Sequence, residues 1–108
     1  MSLSPEIVES TRELLDPLGG ISMRAMMGGR SIYRHGVIFA VLARDGTLYL
    51  KAEGEMADRL RALGGEDFAW TRKDGSVASM CYVSVPGDML DEPERLREVA
   101  LEAFGALG

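Results

Sequence analysis

The chain reads as an α+β domain in which helical segments flank an antiparallel sheet, and three observations carry that reading. Helix-start and helix-stop signals bracket amphipathic runs near both ends and in the middle. Three X-Gly dipeptides, His35-Gly36, Asp45-Gly46 and Asp74-Gly75, each separate runs rich in β-branched, aromatic and aliphatic residues. Asp-Gly between such runs is the strongest short-range hairpin signal. The resulting order is α-β-β-β-α-β-β-α, and residues 1–108 are expected to form a single domain.

The elements follow in chain order. Ser4-Pro5-Glu6 is a helix start, with Ser as N-cap, Pro at the first helical position and an acid at the positive dipole end. Ile7, Thr11, Leu14, Leu15 and Leu18 keep helical spacing, and Gly19-Gly20 ends the run. Strands are expected near 22–34, 37–44 and 47–52, the first bent or bulged around Gly28-Gly29. Met56, Leu60 and Leu63 mark a second helix that Gly64-Gly65 stops. Strands near 68–73 and 76–85 come next. The last helix is expected to open at Asp91, with Glu94 as its capping-box partner and Leu96, Val99, Ala100, Ala103, Phe104 and Leu107 as its apolar stripe.

Two-residue loops at the three Gly turns would set the register. Ile32 then pairs with Phe39, Tyr33 with Ile38, Val41 with Leu50, Leu42 with Tyr49, and Phe68 with Cys81. One face collects Ile32, Phe39, Val41, Leu48, Leu50, Phe68, Trp70, Cys81 and Val83, and the helices are expected to cover it. The opposite face collects Tyr33, Ile38, Ala40, Leu42, Tyr49, Lys51, Met80 and Tyr82, so all three tyrosines share it. An uncovered face ordinarily alternates toward polar residues, whereas an apolar one bearing tyrosines has the composition of a contact surface. Tyr33, Ile38, Leu42, Tyr49, Met80 and Tyr82 are therefore candidate partner-binding residues, most simply for a homodimer. The competing arrangement folds the terminal helix or a loop over this face.

Charge is unevenly placed. The net charge of −5 argues against wholesale nucleic-acid binding. Yet residues 21–51 carry five Lys/Arg against Asp45 alone, while the helical segments are anionic. Arg24, Arg30, Arg34 and Lys51 are candidate anion or nucleic-acid contacts, with Gly28-Gly29 offering backbone N–H groups. Solvated arginines that guard an edge strand explain the same residues.

No catalytic, metal or cofactor site emerges. His35, the single histidine, sits in an expected tight turn with no orienting carboxylate or nucleophile beside it. Cys81, the single cysteine, reads as a small buried hydrophobe, and one Cys with one His cannot build a structural zinc site. The N-terminus has no signal-peptide pattern, and no apolar run approaches membrane-spanning length. A reducing, cytoplasmic setting is expected.

From Arg24-Ala25-Met26-Met27-Gly28-Gly29 through Ile32-Tyr33 and Gly36-Val37-Ile38-Phe39-Ala40, the sequence resembles the N-terminal domain of the TfoX (Sxy) family of bacterial competence regulators. The similarity resumes at Leu48-Tyr49-Leu50-Lys51, Phe68 with Trp70, Met80 with Tyr82 and Pro86, and the acidic start of the last helix. Met27 and Ser31 depart from the Phe and Gly common at those family positions, and a standalone first domain without the second TfoX domain is expected. The resemblance implies a two-layer α-β(3)-α-β(2)-α fold like that of the secretion-chaperone group. It also implies a non-enzymatic regulatory role in transcription, through transcription machinery or a cyclic-AMP receptor protein-type regulator, without cofactors. The alternative function is a nucleic-acid-binding accessory protein using residues 24–51.

Overall fold

Six strands and four helices make up most of the described backbone in the computed structural model, which describes residues 4–26, 28–71, 74–75 and 77–106. Side chains at 26, 69–71 and 77–81, Trp70, Met80 and Cys81 among them, lie outside that description, as does Leu107. Ser4 caps helix α1 (Pro5–Leu15), its side chain accepting from the Ile7 N–H at 3.3 Å. A single 3-10 turn, Asp16–Leu18, and Gly19 with φ +83° then release the chain.

The segment expected as one interrupted strand is a hairpin of two, β1 (Ile21–Met26) and β2 (Gly29–Arg34), paired from Ile21↔Arg34 to Met26↔Gly29. Both glycines are needed there. Gly28 has φ +86°, and a Cβ on Gly29 would collide with the Leu42 carbonyl oxygen of the neighbouring strand. The order is therefore α-β(4)-α-β(2)-α-α in place of α-β(3)-α-β(2)-α.

Strands β3 (Val37–Leu42) and β4 (Leu48–Lys51) complete a four-stranded meander. Helix α2 (Glu55–Ala62) then carries the chain across to β5 (Asp67–Thr71) on the far edge, and β6 (Val77–Ser84) returns between β5 and β4. The sheet is antiparallel throughout, in the order β1-β2-β3-β4-β6-β5. A short helix, α3 (Gly87–Leu90), follows Pro86 and seats Met89 in the core. The last helix, α4 (Pro93–Ala106), starts two residues later than Asp91, because Asp91 ends α3 and Pro93 suits a first helical position.

One three-residue loop and one bulge decide which side chains meet the helices. Ala43 donates to Thr47 and Gly46 donates back to Ala43, which makes the β3–β4 loop three residues long with Gly46 at φ +92°. Leu42 thus pairs with Leu48 and Ala40 with Leu50, one residue away from the expected register. Phe39 absorbs that extra residue as a bulge: Tyr33 pairs with Ile38, but Ile32 pairs with Ala40. Phe39 and Ala40 both join the core, so neither hairpin is forced out of phase with the sheet.

That core draws on every helix and one sheet face. Leu15, Leu60, Met89 and Leu96 from the helices meet Ile32, Phe39, Leu42, Leu50 and Val83 from the sheet, each at most 1% exposed. Fully burying side chains of this kind is worth roughly 1.5–3 kcal/mol apiece before chain entropy is counted. Phe39 packs edge-on to Phe104 of α4, with centroids 5.9 Å apart.

Arg34 ties the layers together. Its Nε and Nη2 donate to the Leu18 carbonyl at 3.2 and 3.1 Å, and its guanidinium lies 4.9 Å from the Phe104 ring centroid. Arg97 of α4 donates to the Leu14 carbonyl at 2.6 Å, so two cations serve carbonyls at the C-terminal end of the first helical segment. Replacing Arg34 with Ala is expected to lower the unfolding free energy by about 2 kcal/mol in urea titration. Arg34→Lys should recover only part of this, since an ammonium cannot reproduce the forked donation. An Arg34→Ala protein as stable as its parent would contradict the assignment.

Candidate interaction face

The sheet face turned away from the core holds the candidate site. Register places Arg24, Ser31, Val41, Tyr49 and Ser84 in one cross-strand row. Ser22, Tyr33 and Ile38 form a second row, and Lys51 pairs with Tyr82 beside Tyr49. Alternation along each strand keeps these side chains on one side. All three tyrosines therefore sit opposite the helices.

Contacts within the face hold its rings in place. The Arg24 guanidinium lies 5.6 Å from the Tyr33 centroid. The Ser31 hydroxyl is 3.4 Å from both the Tyr33 hydroxyl and the Arg24 carbonyl. Tyr49 meets Phe68 edge-on, with centroids 4.9 Å apart and planes at 83°. Val41 and Tyr82, each 5% exposed, are buried outside the main core cluster, so the face has an apolar floor of its own.

Its strand rows carry cations, while Asp45 and Glu66 act on it from the margin. Arg24 and Lys51 are the cations of these rows, and among the described residues no Asp or Glu shares them. Burial, and then the charges of Asp45 and Glu66, push the Tyr49 phenol above its usual value. Tyr49 is consequently neutral at pH 7. At the loop beside it, the Thr47 backbone N–H donates to Asp45 Oδ1 at 2.9 Å, and this bond, with the Thr47 side chain, holds the carboxyl below the usual carboxylate range.

Several sequence expectations need correction here. Leu42 and Ala40 are not on this face; the three-residue loop turns both into the core, and Val41 takes the outward position. Phe68 moves the opposite way and joins Tyr49, because β5 and β6 shift register between Asp67 and Ala69. Tyr33, Ile38, Tyr49 and Tyr82 are where the expected face put them. The side chain of Met80, the sixth candidate, lies outside the described residues.

The four candidate cations do not converge. Arg24 and Lys51 point outward, separated by three strand spacings, about 14 Å. Arg30 and Arg34 alternate to the helix side, where Arg30 donates to the Gly29 carbonyl and Arg34 is tied to Leu18 and Phe104. Ser22, Ser31, Val41, Phe68 and Ser84 are face residues that sequence reasoning missed. The signal for Val41 lay in Arg44-Asp45-Gly46, which suits a type I turn with a left-handed glycine as well as it suits a two-residue loop.

The rest of the surface offers little chemistry. Among the described residues no group of three His, Cys, Asp or Glu side chains could hold a metal ion, and no helix is long and apolar enough to cross a membrane. A cleft of about 480 Å³ lies between α1, the β3–β4 loop and α3, lined by Thr11, Leu14, Thr47, Val85 and Leu90.

With this geometry in hand, similarity to known proteins assigns the class. Residues 13–107 match the TfoX N-terminal domain model, and the chain belongs to that family. Among curated proteins, it is similar to the DNA transformation protein TfoX1 of Aliivibrio fischeri, with 31% identity over 87 residues. That match covers 81% of this chain and 41% of the relative, so the chain spans about two fifths of the relative's length.

The two shifted groups make opposite demands on pH. Tyr49 has a raised value in the folded state, so its contribution to stability is present below about pH 10 and is lost as pH rises through the folded value. Asp45 has a lowered value, so its contribution is present above about pH 4 and is lost as pH falls through the folded value. Thermal melts across pH should therefore show Tyr49→Phe removing part of the alkaline loss and Asp45→Asn removing part of the acid loss. Profiles that superimpose on the parent at both extremes would contradict these environments.

Proposed function

We propose that the chain is a non-enzymatic regulatory module of the TfoX type, acting in DNA transformation by docking a protein partner on the helix-free face of its sheet. The observation that carries this reading is the face itself: Tyr33, Tyr49, Phe68, Val41 and Ile38, with Arg24 and Lys51, and no acid among the described outward positions. Rigid aromatics with a few cations and few other charges are what protein contact surfaces enrich. The partner belongs to the transcription apparatus, a cyclic-AMP receptor protein-type regulator being the kind that the family resemblance suggests.

Direct binding of nucleic acid through Arg24, Arg30, Arg34 and Lys51 has less support. A phosphate-tracking groove needs its cations along one surface, and these four are divided between the two sides of the sheet.

Tyr49→Asp tests the reading. In the encoding bacterium with its own copy deleted, the variant should lower transformation frequency by at least tenfold, while circular dichroism shows that it still folds. A correctly folded variant that transforms at the parent frequency would refute the docking face. Duplex binding that weakens steeply with salt, by roughly 0.9 in log–log slope for each phosphate neutralised, would favour the nucleic-acid reading instead.

A further inference from the structure

The two edges of the sheet are not alike. β5, at one edge, is broken by the register shift between Asp67 and Ala69, and Asp67 is held by Arg61 at 2.8 Å. Bulges and charges of this kind keep an edge from pairing. β1, at the other edge, runs six residues in unbroken register, with no proline, no bulge and one charged side chain.

The main-chain groups of β1 that face outward can be read from the ladder. His35 N donates to Gly20 O at 2.9 Å, one step beyond the Ile21↔Arg34 pair. Alternation in an antiparallel ladder then bonds Ser22 to Tyr33 and Arg24 to Ser31. It leaves the N–H and C=O of Ile21, Met23 and Ala25 directed away from β2. Among the described residues, no group bonds them from the open side. Ser22, Arg24 and Ala25 are exposed, so nothing described screens this edge.

We propose that β1 is a strand-pairing edge through which two copies of this chain join their sheets antiparallel, with Met23 of each copy at the two-fold axis. The side chains select both the occupant and the register. Met23 opposite Met23, and Ile21 opposite Ala25, brings all three outward residues of each copy into bonding pairs. That register sets Ser22 of each copy against Arg24 of the other, a hydroxyl facing a guanidinium. Sliding toward the turn would instead oppose Arg24 to Arg24, which like-charge repulsion disfavours. A two-fold axis perpendicular to the sheet leaves both tyrosine faces on the same side of a twelve-stranded sheet, so the dimer would offer a two-fold partner two equivalent faces. The pairing stands whether or not those faces bind the proposed partner.

Charge at position 22 tests the register without touching the core. Sedimentation velocity over a concentration series should show a monomer–dimer equilibrium in the parent. Ser22→Glu, facing Arg24, should tighten it, and Ser22→Arg should weaken it on the order of tenfold, because symmetry repeats each pair twice. Adding Arg24→Glu to Ser22→Arg should restore the parent strength. Amide exchange at Ile21, Met23 and Ala25 should slow as concentration rises. A protein that stays monomeric at millimolar concentration overturns the proposal. So does a dimer indifferent to both Ser22 variants, or one whose strengthened amides lie outside β1, such as a dimer formed through the tyrosine face.

Discussion

The fold depends on a compensation within β3. A three-residue loop between β3 and β4 displaces one strand by one residue relative to the other, and a one-residue displacement exchanges the two faces of a strand. The bulge at Phe39 takes up that residue before the exchange reaches β2. Leu42 and Ala40 consequently fill the core while Tyr33, Val41 and Tyr49 share the far side. Without the bulge, either Ile32 or Tyr33 would sit on the wrong surface.

Polar ties then fix how the helices sit on the chosen face. Arg34 and Arg97 reach carbonyls of the first helical segment, and α2 and α4 are joined by the Arg59–Glu102 ion pair. The exposed pair adds little to stability, whereas the donation to otherwise unsatisfied carbonyls adds more. Cations on the helix side therefore hold the fold. Arg24 and Lys51 lie on the other side, Arg24 over the Tyr33 ring. Helical acids contribute to the net charge of −5 without entering the tyrosine face.

Local signals were the legible part of this sequence. The cap at Ser4, the glycine stops and the three X-Gly turns each act through one or two residues, and each marks a real boundary. The division between core and outer face was legible for β4, where Leu48-Tyr49-Leu50-Lys51 alternates without ambiguity. It was not legible for β3, because Phe39-Ala40-Val41-Leu42 is apolar at every position, and only loop length and the bulge decide between the two phases. The hairpin hidden in residues 21–34 escaped for a related reason. Gly28-Gly29 serves a bulge and a tight turn equally well, and the clash that demands Gly29 comes from Leu42, thirteen residues on. The cation cluster failed as a group because sequence proximity of Arg24, Arg30 and Arg34 does not reveal side, whereas strand parity does.

Nuclear Overhauser contacts of the tyrosine ring protons test the central claim most directly. A helix-free face requires Tyr49 to contact Phe68 and Val41, and Tyr33 to contact Ile38, with Leu42 methyls contacting core residues instead. Contacts from any of the three tyrosine rings to Leu15, Leu60 or Leu96 would contradict it.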